Sequence, residues 1–336
     1  MKLLAISDHY IPETFMKDGL VALAEQGIEI EVRPWEHPTL EELQEANLLV
    51  EQQGPNAIEM PQRFFDGLEQ FDAIVVQFAP VGQKMIEAAS RLKTIGILRG
   101  GTENVDKPIA DKRNITVINT PGRNARAVAE CTVGMILTEI RNLARSFAEL
   151  RNGNWTRDYP NRAEIPELLD KTVGLVGFGA IGRLVAHFLT AFGSKIVAYD
   201  PFVQEETGNV KMVDLPTLLK ISDIVSLHAR YSKETHHLIG RRELAQMRPS
   251  AVLINTARSG LVDEKALVEC LQNRQIMGAA LDVFDEEPIP ANHPFLSLDN
   301  VTITPHLAGS TVDAFRNSPK LWAERIIQMG IFRLQK

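Results

Sequence analysis

A loop with three glycines between a strand and a helix constrains this chain more than any other feature. The apolar strand TVGLV runs into Gly177-Phe-Gly179-Ala-Ile-Gly182, and an apolar-periodic helix is predicted over Ala180 to Phe192. Glycines at this spacing allow a tight turn, a close approach of the backbone to a ligand, and close packing of the helix on the strand. A tight turn without a ligand needs similar residues, so the loop alone is a weak indication of a binding site.

The next predicted strand strengthens the indication of a binding site at the glycine loop. KIVAY ends at Asp200, about 20 residues after the first glycine, where an acid hydrogen-bonds the ribose hydroxyls of a dinucleotide. That carboxylate also repels a 2′-phosphate, and the N-terminus of the helix after the glycine loop attracts the pyrophosphate. The sequence therefore predicts a site for NAD rather than NADP, with a turn residue before Pro201 as the alternative interpretation of Asp200.

Strands and helices alternate along most of the chain, which predicts an α/β fold with parallel sheets. In the first part of the chain, apolar runs predict strands at KLLAI, IEIEVR, DAIVV and TVINT. Later, six strands are predicted within about 140 residues, as in a doubly wound dinucleotide fold: TVGLV, KIVAYD, DIVSLH, AVLINTA, IMGAALDV and VTITPH. Because 336 residues exceed the usual size of a single core, we expect two domains.

A long apolar-periodic segment, residues 125–150, contains few helix breakers and predicts one continuous helix. The polar, proline-containing segment NGNWTRDYPNRAEIPELL follows it and is typical of a linker. A helix of this length could bridge two lobes or join two subunits.

Composition and charge exclude several classes of partner. The 43 acidic residues outnumber the 36 Lys and Arg, and no basic run is present, so nucleic acid is not expected to bind. The two cysteines, Cys131 and Cys270, lie in apolar-periodic stretches and are interpreted as buried thiols in a reducing compartment, with no disulfide and no metal site expected. No apolar run reaches the length of a membrane span, and a cytoplasmic location is expected.

Polar residues follow four of the predicted strands: His228, Arg258, Asp282 and His306. In open parallel sheets, ligands bind beyond the carboxyl ends of the strands, so we expect these residues at one edge. A histidine can take the proton of a hydroxyl group at neutral pH, a carboxylate bonded to its ring fixes the tautomer, and an arginine can bind a substrate carboxylate. Each residue alone could be structural, but the set suits hydride transfer between a secondary alcohol and nicotinamide.

Six stretches together resemble the successive signatures of the D-isomer-specific 2-hydroxyacid dehydrogenase family, including its D-3-phosphoglycerate dehydrogenase-like members: NTPGRNARAVAE, VGFGAIG, YDP, NTARSGLVDEKAL, GAALDVFDEEP and TPHLAGST. They extend over about residues 99–311 in the order and spacing of the family. The resemblance implies a flavodoxin-like substrate domain, residues 1–103 plus 300–336, into which an NAD-binding Rossmann domain, residues 104–299, is inserted. It also implies a homodimer that forms through the helix after Asn124.

The same resemblance implies the roles of individual residues. Arg258 matches the arginine that binds the substrate carboxylate, His306 the histidine that transfers the proton, and Glu287 the acid of the dyad. Of the three adjacent acids 285–287, only Glu287 is expected to act, while Asp285 and Glu286 are expected to be solvated. The predicted cofactor-binding residues are Thr102, Gly177, Gly179, Ala180, Ile181, Gly182, Asp200, His228, Ala229, Thr256, Ala257, Asp282, His306 and Ala308. Asp282 is expected to hold the nicotinamide carboxamide, and His228 to begin a loop that binds the cofactor mostly through its backbone.

The predicted substrate-binding residues are Gln77, Phe78, Gly100, Gly101 and Arg258. Two departures from the family occur in these loops. Members that act on phosphoglycerate often read V-R-S where this chain reads Val76-Gln77-Phe78, and the loop 99–106 is two residues shorter than the common form. The expected reaction is therefore the reversible NAD-dependent oxidation of a D-2-hydroxy acid, with glycerate, phosphoglycerate, sugar-derived and aliphatic acids all open as substrates.

Two other functions are compatible with parts of this pattern. The first is a formate dehydrogenase. That branch of the family resembles this pattern but has a Gln as the partner of its histidine, so Glu287 argues against this function. A catalytically weak NAD(H)-sensing protein, similar to the corepressors of the same family, would keep the arginine, the acid and the histidine and stays open as the alternative.

Overall fold

The computed structural model describes residues 1–203 and 208–332, which form two compact units. The first unit comprises Met1–Asn124 together with the segment from Ser310, and the second comprises Ala125–Gly309. The sequence placed the two boundaries after residues 103 and 299. The structure places them later, because the strand at 116–119 pairs within the first sheet and the strand at 301–303 pairs within the second.

The strands are β1 (Lys2–Ser7), β2 (Glu29–Pro34), β3 (Ala73–Val76), β4 (Thr94–Ile97), β5 (Thr116–Asn119), β6 (Thr172–Val176), β7 (Lys195–Tyr199), β8 (Val210–Met212), β9 (Ile224–Leu227), β10 (Val252–Asn255), β11 (Gly278–Leu281) and β12 (Val301–Ile303). The helices are α1 (Glu13–Ala24), α2 (Leu40–Gln53), α3 (Gln83–Ala88), α4 (Lys107–Lys112), α5 (Ala125–Ile140), α6 (Leu143–Arg151), α7 (Ala180–Ala191), α8 (Leu215–Ile221), α9 (Arg241–Leu244), α10 (Glu264–Gln272) and α11 (Val312–Met329).

Each unit is built on one parallel sheet. The first sheet has the order β2-β1-β3-β4-β5, which is the flavodoxin-like order. The second has the order β12-β11-β10-β9-β6-β7-β8, which is the doubly wound dinucleotide order with one further strand at β12. The expected α/β fold with two doubly wound lobes is confirmed.

The central strands are buried along their whole length because helices cover both faces of each sheet. Every residue of β3, β4, β9, β10 and β11 is buried, as the continuous apolar runs in the sequence predict for parallel strands. Five helices begin at a residue whose side chain accepts a hydrogen bond from a backbone N–H of the first turn. These residues are Thr39, Asp106, Asp214, Asp263 and Thr311.

The last helix, α11, completes the core of the first unit. The Trp322 ring is fully buried against Gly96 of β4, where a Cβ atom would lie 2.3 Å from the ring, and its Nε1–H donates to the Ile118 carbonyl. Gly19 of α1 allows a similarly close approach to Pro319. A C-terminal segment far away in the sequence thereby becomes part of the first sheet's core.

Two elements differ from the sequence-based expectations. The helix expected over residues 125–150 is broken into α5 and α6, because Asn142 adopts a left-handed conformation with φ of 56° and its side chain pairs with Asn161. The break lets Arg145 turn back onto Glu139, with two contacts of 2.8 Å. The second sheet also has a strand that was not expected, β8, which is only three residues long.

No helix within the described residues is long and apolar enough to cross a membrane.

The carboxylate of Asp8, directly after β1, is buried at a cost to the fold. Its Oδ1 accepts hydrogen bonds from the Tyr10 and Ile11 backbone, each of 2.9 Å, while Oδ2 has no partner of normal geometry among the described residues. Burial raises the pKa of Asp8 to about 6, against the opposing effects of the Tyr10, Ile11 and Phe78 N–H groups and the His9 charge.

We expect Asp8→Asn to raise stability at neutral pH. The pKa of Asp8 is higher in the folded than in the unfolded state, so the free energy of unfolding falls as pH rises from about 4 to about 6. The full loss is present above about pH 6. The asparagine keeps both hydrogen bonds to Oδ1, and the free energy of unfolding should rise by up to about 3 kcal/mol at about pH 7.5 and by little at about pH 4. Thermal unfolding of both proteins at the two pH values checks this, and an equal difference at both would contradict it.

Candidate active site

The carboxyl ends of six neighbouring strands of the second sheet carry the predicted site residues of that unit. The glycine loop follows β6, Asp200 follows β7, and His228 follows β9. The Arg258 turn follows β10, Asp282 and Glu287 follow β11, and His306 follows β12. Since all strands run parallel, these residues share one edge, and the strand order reverses between β6 and β9, where ligands bind in such sheets.

The three glycines of the loop have different physical roles. Gly177 has φ of 98°, and a Cβ atom there would lie 2.4 Å from the Ala229 nitrogen, so a side chain is excluded both by conformation and by space. A Cβ atom on Gly182 would lie 2.3 Å from the Gly177 carbonyl oxygen. No described atom lies within 4 Å of a Cβ atom on Gly179, so the side of the loop at the N-terminus of α7 is open.

Asp200 is tied to this loop. Its Oδ2 accepts a hydrogen bond of 2.8 Å from the Phe178 backbone, and its Oδ1 accepts one of 2.9 Å from the Phe202 backbone. The carboxylate therefore lies beside the turn where a phosphate would approach, as a ribose-binding acid requires.

His228 is neutral at physiological pH. Burial lowers the pKa of its imidazole to about 4, its Nε2 lies 2.9 Å from the Ser226 hydroxyl, and its buried Nδ1 has no partner among the described residues. Its backbone N–H donates to the Val176 carbonyl and holds the loop against β6. The Ala229 backbone packs against Gly177.

The turn after β10 is held by a residue that the sequence reasoning missed. The Asn255 side chain donates to the Arg258 carbonyl and accepts from the Ala257 N–H, at 2.9 and 3.1 Å. Thr256 is buried, and its hydroxyl lies 2.7 Å from that of Thr132 on α5. The sequence contains a signal for this role, because an Asn at the end of a strand often hydrogen-bonds to the backbone of its own turn.

Arg258 extends from this turn toward solvent. Its guanidinium donates one hydrogen bond, of 2.7 Å, to the Ala257 carbonyl, and no ion pair joins it to a carboxylate of the described residues. The remaining N–H groups can bind a planar anion.

Asp282 has a role in the structure that was not expected. Its side chain is fully buried and accepts hydrogen bonds from the Thr304 hydroxyl at 2.6 Å and from the Leu307 and Ala308 backbone at 2.9 Å each. The end of β11 is thus tied to the loop after β12. Its contact with the nicotinamide carboxamide stays a prediction.

That loop carries His306, whose φ of 50° lies in the left-handed region. A non-glycine residue adopts this conformation only where its surroundings hold it, and the three bonds to Asp282 flank His306 on both sides. The side chain of His306 is directed at Glu287, with 2.7 Å between Nδ1 and Oε2.

Glu287 is in turn held by the loop it belongs to. Its Oε1 accepts a hydrogen bond of 2.9 Å from the Phe284 backbone, so both carboxylate oxygens are used. The His306 and Glu287 side chains are 48% and 35% exposed, and Nε2 of His306 bonds to no described residue. With the proton on Nδ1, Nε2 is free to accept a proton from a ligand.

The other two acids of this run do not contact His306. Asp285 and Glu286 are exposed, and neither side chain bonds to another described residue. The Asp285 backbone N–H donates to Glu264, whose other carboxylate oxygen lies 3.0 Å from His293. Glu264 and His293 thus fix the loop. Of the three acids, only Glu287 bonds to His306.

Five predicted site residues lie in the first unit, after β3 and β4: Gln77, Phe78, Gly100, Gly101 and Thr102. Gln77 is fully buried, whereas Gly100 is exposed. Their contacts with substrate or cofactor stay predictions.

The second unit fits a bound dinucleotide. Gly179 leaves open space at the start of the twelve-residue helix α7, whose first turn has no side-chain cap, so its backbone N–H groups can bind a pyrophosphate. Asp200 stands beside this turn with its carboxylate. The buried, unpartnered Nδ1 of His228 lies in the loop packed on Gly177.

Comparison with known proteins gives a consistent result. Residues 133–308 match the family model described as D-isomer specific 2-hydroxyacid dehydrogenase, NAD binding domain. The chain is 43% identical over 252 residues to a glyoxylate reductase of Thermofilum pendens, covering 74% of each chain. It is 41% identical over 269 residues to a hydroxypyruvate reductase of Thermotoga maritima, covering 79% of this chain and 87% of the relative.

A solved structure is similar over almost the full length. It is the NAD-complexed form of a D-isomer specific 2-hydroxyacid dehydrogenase from Lactobacillus delbrueckii ssp. bulgaricus, at a TM-score of 0.79 and 26% identity. The match covers 100% of this chain and 99% of that one.

We expect Glu287→Gln to change the pH profile of turnover and Glu286→Gln to leave it unchanged. The carboxylate orients the His306 ring and stabilises its protonated form, whereas the neutral amide cannot, and kcat should fall on the order of tenfold or more. Steady-state rates across a pH series for both variants provide the measurement. Equal effects from the two substitutions would show that the assignment of the dyad acid is wrong.

Proposed function

Because the chain belongs to the D-isomer-specific 2-hydroxyacid dehydrogenase family and is an NAD-dependent oxidoreductase, we propose that it interconverts a small D-2-hydroxy acid and its 2-oxo acid. The catalytic residues of this proposal are Arg258, Glu287 and His306. The observation that carries it is the hydrogen bond of 2.7 Å between His306 Nδ1 and Glu287 Oε2, which leaves Nε2 free for proton transfer.

In the direction of oxidation, Nε2 of His306 takes the proton of the substrate hydroxyl. Glu287 keeps the other ring proton on Nδ1 and stabilises the positive charge that forms on the ring. NAD, when bound, supplies the acceptor for the hydride from the substrate carbon. In the direction of reduction, the protonated His306 returns its proton to the forming hydroxyl.

Arg258 binds the substrate carboxylate in this proposal. Its exposed guanidinium has donors left over after the bond to Ala257, and a fork of parallel N–H groups matches a carboxylate in charge and geometry. The Asn255 bonds fix the turn and therefore the direction from which the arginine approaches the substrate.

Of the substrates that the sequence left open, we propose a short, unphosphorylated acid. The two relatives named above are a glyoxylate reductase and a hydroxypyruvate reductase. The segment after β3 supports the choice, because family members that act on phosphoglycerate often have an arginine where this chain has Gln77, whose buried amide carries no charge.

The exposed apolar surface of α6 supports a homodimer. Leu143, Phe147 and Leu150 are 53%, 68% and 55% exposed, and α6 has no buried residue. A stripe of this kind on an amphipathic helix is typical of a surface that another protein covers, and we propose that a second copy of the chain covers it. The two free cysteines, Cys131 and Cys270, support the proposal of a cytoplasmic location.

We expect His306→Ala to lower kcat for reduction of a 2-oxo acid by about 10² to 10⁴, since a positioned proton donor is lost. NADH should still bind, because the glycine loop and Asp200 are unchanged. The measurement is the loss of NADH absorbance with glyoxylate, pyruvate and hydroxypyruvate, beside NADH binding by fluorescence. Tight NADH binding with no turnover of any acid by the unmodified protein would favour the NAD(H)-sensing alternative.

We expect Phe147→Glu to give a monomer of about 37 kDa, whereas the unmodified chain sediments as a dimer. A charge in the centre of an apolar stripe must be desolvated when a partner covers it, which weakens association. Val21→Glu, on the exposed side of α1, is the matched control because Val21 is 51% exposed. A single-chain mass for the unmodified protein would contradict the proposed dimer.

A further inference from the structure

The loop that carries Glu287 is not held by backbone pairing. It runs from the end of β11 to the short 3₁₀-helix Pro294–Ser297. No backbone group of residues 283–289 forms a hydrogen bond with another backbone group of the described residues. Because a segment without such bonds opens more easily than a helix or a strand, the side chains that hold this loop decide how well Glu287 is oriented.

Two successive backbone N–H groups of the loop donate to carboxylates. That of Phe284 donates to Oε1 of Glu287, at 2.9 Å, and that of Asp285 donates to Oε2 of Glu264, at 3.1 Å. Glu264 lies in the first turn of α10, whose start is capped by the Asp263 side chain, so its backbone is fixed. The loop is therefore attached to a helix at the position next to the one that binds Glu287.

His293 orients the Glu264 carboxylate from the other end of the loop. Its Nδ1 accepts a hydrogen bond of 3.3 Å from the Phe295 backbone, so the proton of the neutral ring is on Nε2. Nε2 then donates to Oε1 of Glu264, at 3.0 Å. We call Glu264 and His293 the supporting pair, and both of their side chains are less exposed than those of the dyad.

The ring of Phe284 packs beside the supporting pair. Its centre lies 6.5 Å from that of the His293 ring and 6.4 Å from that of the Phe295 ring, and its side chain belongs to the core of the second unit. The residue whose N–H binds Glu287 is therefore fixed twice, by its own buried ring and by the neighbouring peptide of Asp285.

Every polar atom of the supporting pair has a partner within the described part of the chain, which indicates a role in holding the loop rather than in binding a ligand. We infer that Glu264 and His293 are positioning residues, which act on the reaction only through Glu287. With the Asp285 peptide held, the preceding N–H keeps Glu287 directed at His306. This inference rests on the proposed function and adds two residues to it.

Glu264→Ala tests the inference, because it leaves the dyad intact but releases the loop. It should lower kcat for reduction of a 2-oxo acid by about 3- to 10-fold, less than Glu287→Gln does, since catalysis depends steeply on the position of the reacting groups. The pH profile of turnover should move in the direction in which Glu287→Gln moves it. The KM for NADH should not change, and Glu264→Gln should recover most of kcat, because its amide oxygen can still accept from Asp285.

A double-mutant cycle distinguishes positioning from a general loss of stability. If Glu264 acts through Glu287, Glu264→Ala should have little further effect on kcat in a Glu287→Gln background, whereas independent effects would multiply. Glu269→Ala is the matched control and should leave kcat and its pH profile unchanged, because Glu269 lies on the same helix but forms an exposed ion pair with Arg241. Thermal unfolding and NADH affinity show whether each variant is folded.

The outcomes separate this inference from the proposed function. If Glu264→Ala does not fold, His293→Ala gives the same test, because it removes the donor that orients Glu264. Unchanged kcat and pH profile, or an effect that multiplies with that of Glu287→Gln, would show that the inference is wrong while the proposed function stands. If Glu287→Gln itself leaves turnover unchanged, or the unmodified protein reduces no 2-oxo acid, the proposed function fails first, and the inference fails with it.

Discussion

Parallel strand pairing is the constraint on which both units depend. Because every strand of each sheet runs in one direction, residues that are far apart in the sequence, such as Gly177 and His306, reach the same edge of one sheet. The fully buried central strands carry mostly apolar side chains, so most of the polar residues lie in the loops at the ends of the sheet. The chemistry at the carboxyl edge of the second unit is therefore a consequence of how the core is filled.

Two buried carboxylates, one in each unit, show how differently such a position can be stabilised. Asp282 accepts three hydrogen bonds, and these bonds hold the loop of His306 in a conformation that the backbone would otherwise avoid. Asp8 accepts two bonds on one oxygen, and its other oxygen has no partner of normal geometry among the described residues. The first carboxylate is fully used by the fold, whereas burial of the second lowers the stability of the fold above about pH 6.

Much of the fold, and the position of several candidate site residues beyond the ends of strands, could be predicted because both follow from local rules. Apolar runs gave the central strands, and residues directly after strands gave Asp200, Arg258 and His306. The break at Asn142 could not be predicted, because its cause is a contact with Asn161 across a loop. The three-residue strand β8 is too short for a periodic pattern, and Asp282 binds the His306 loop through a pairing, β11 with β12, that the sequence does not display. The unit boundaries depend on the same kind of pairing.

The run of three acids, residues 285–287, shows what the sequence can distinguish and what only the structure adds. Sequence alone distinguishes Glu287 from its neighbours only through a resemblance, since all three are carboxylates on one exposed turn. The structure adds a physical difference, because the Phe284 N–H fixes one oxygen of Glu287 while the other meets His306. Asp285 and Glu286 have no such pair of constraints, and their loop is held instead through the Asp285 backbone and Glu264. Glu287 therefore differs from its neighbours in the fixed orientation of its side chain, which the loop provides through a backbone hydrogen bond.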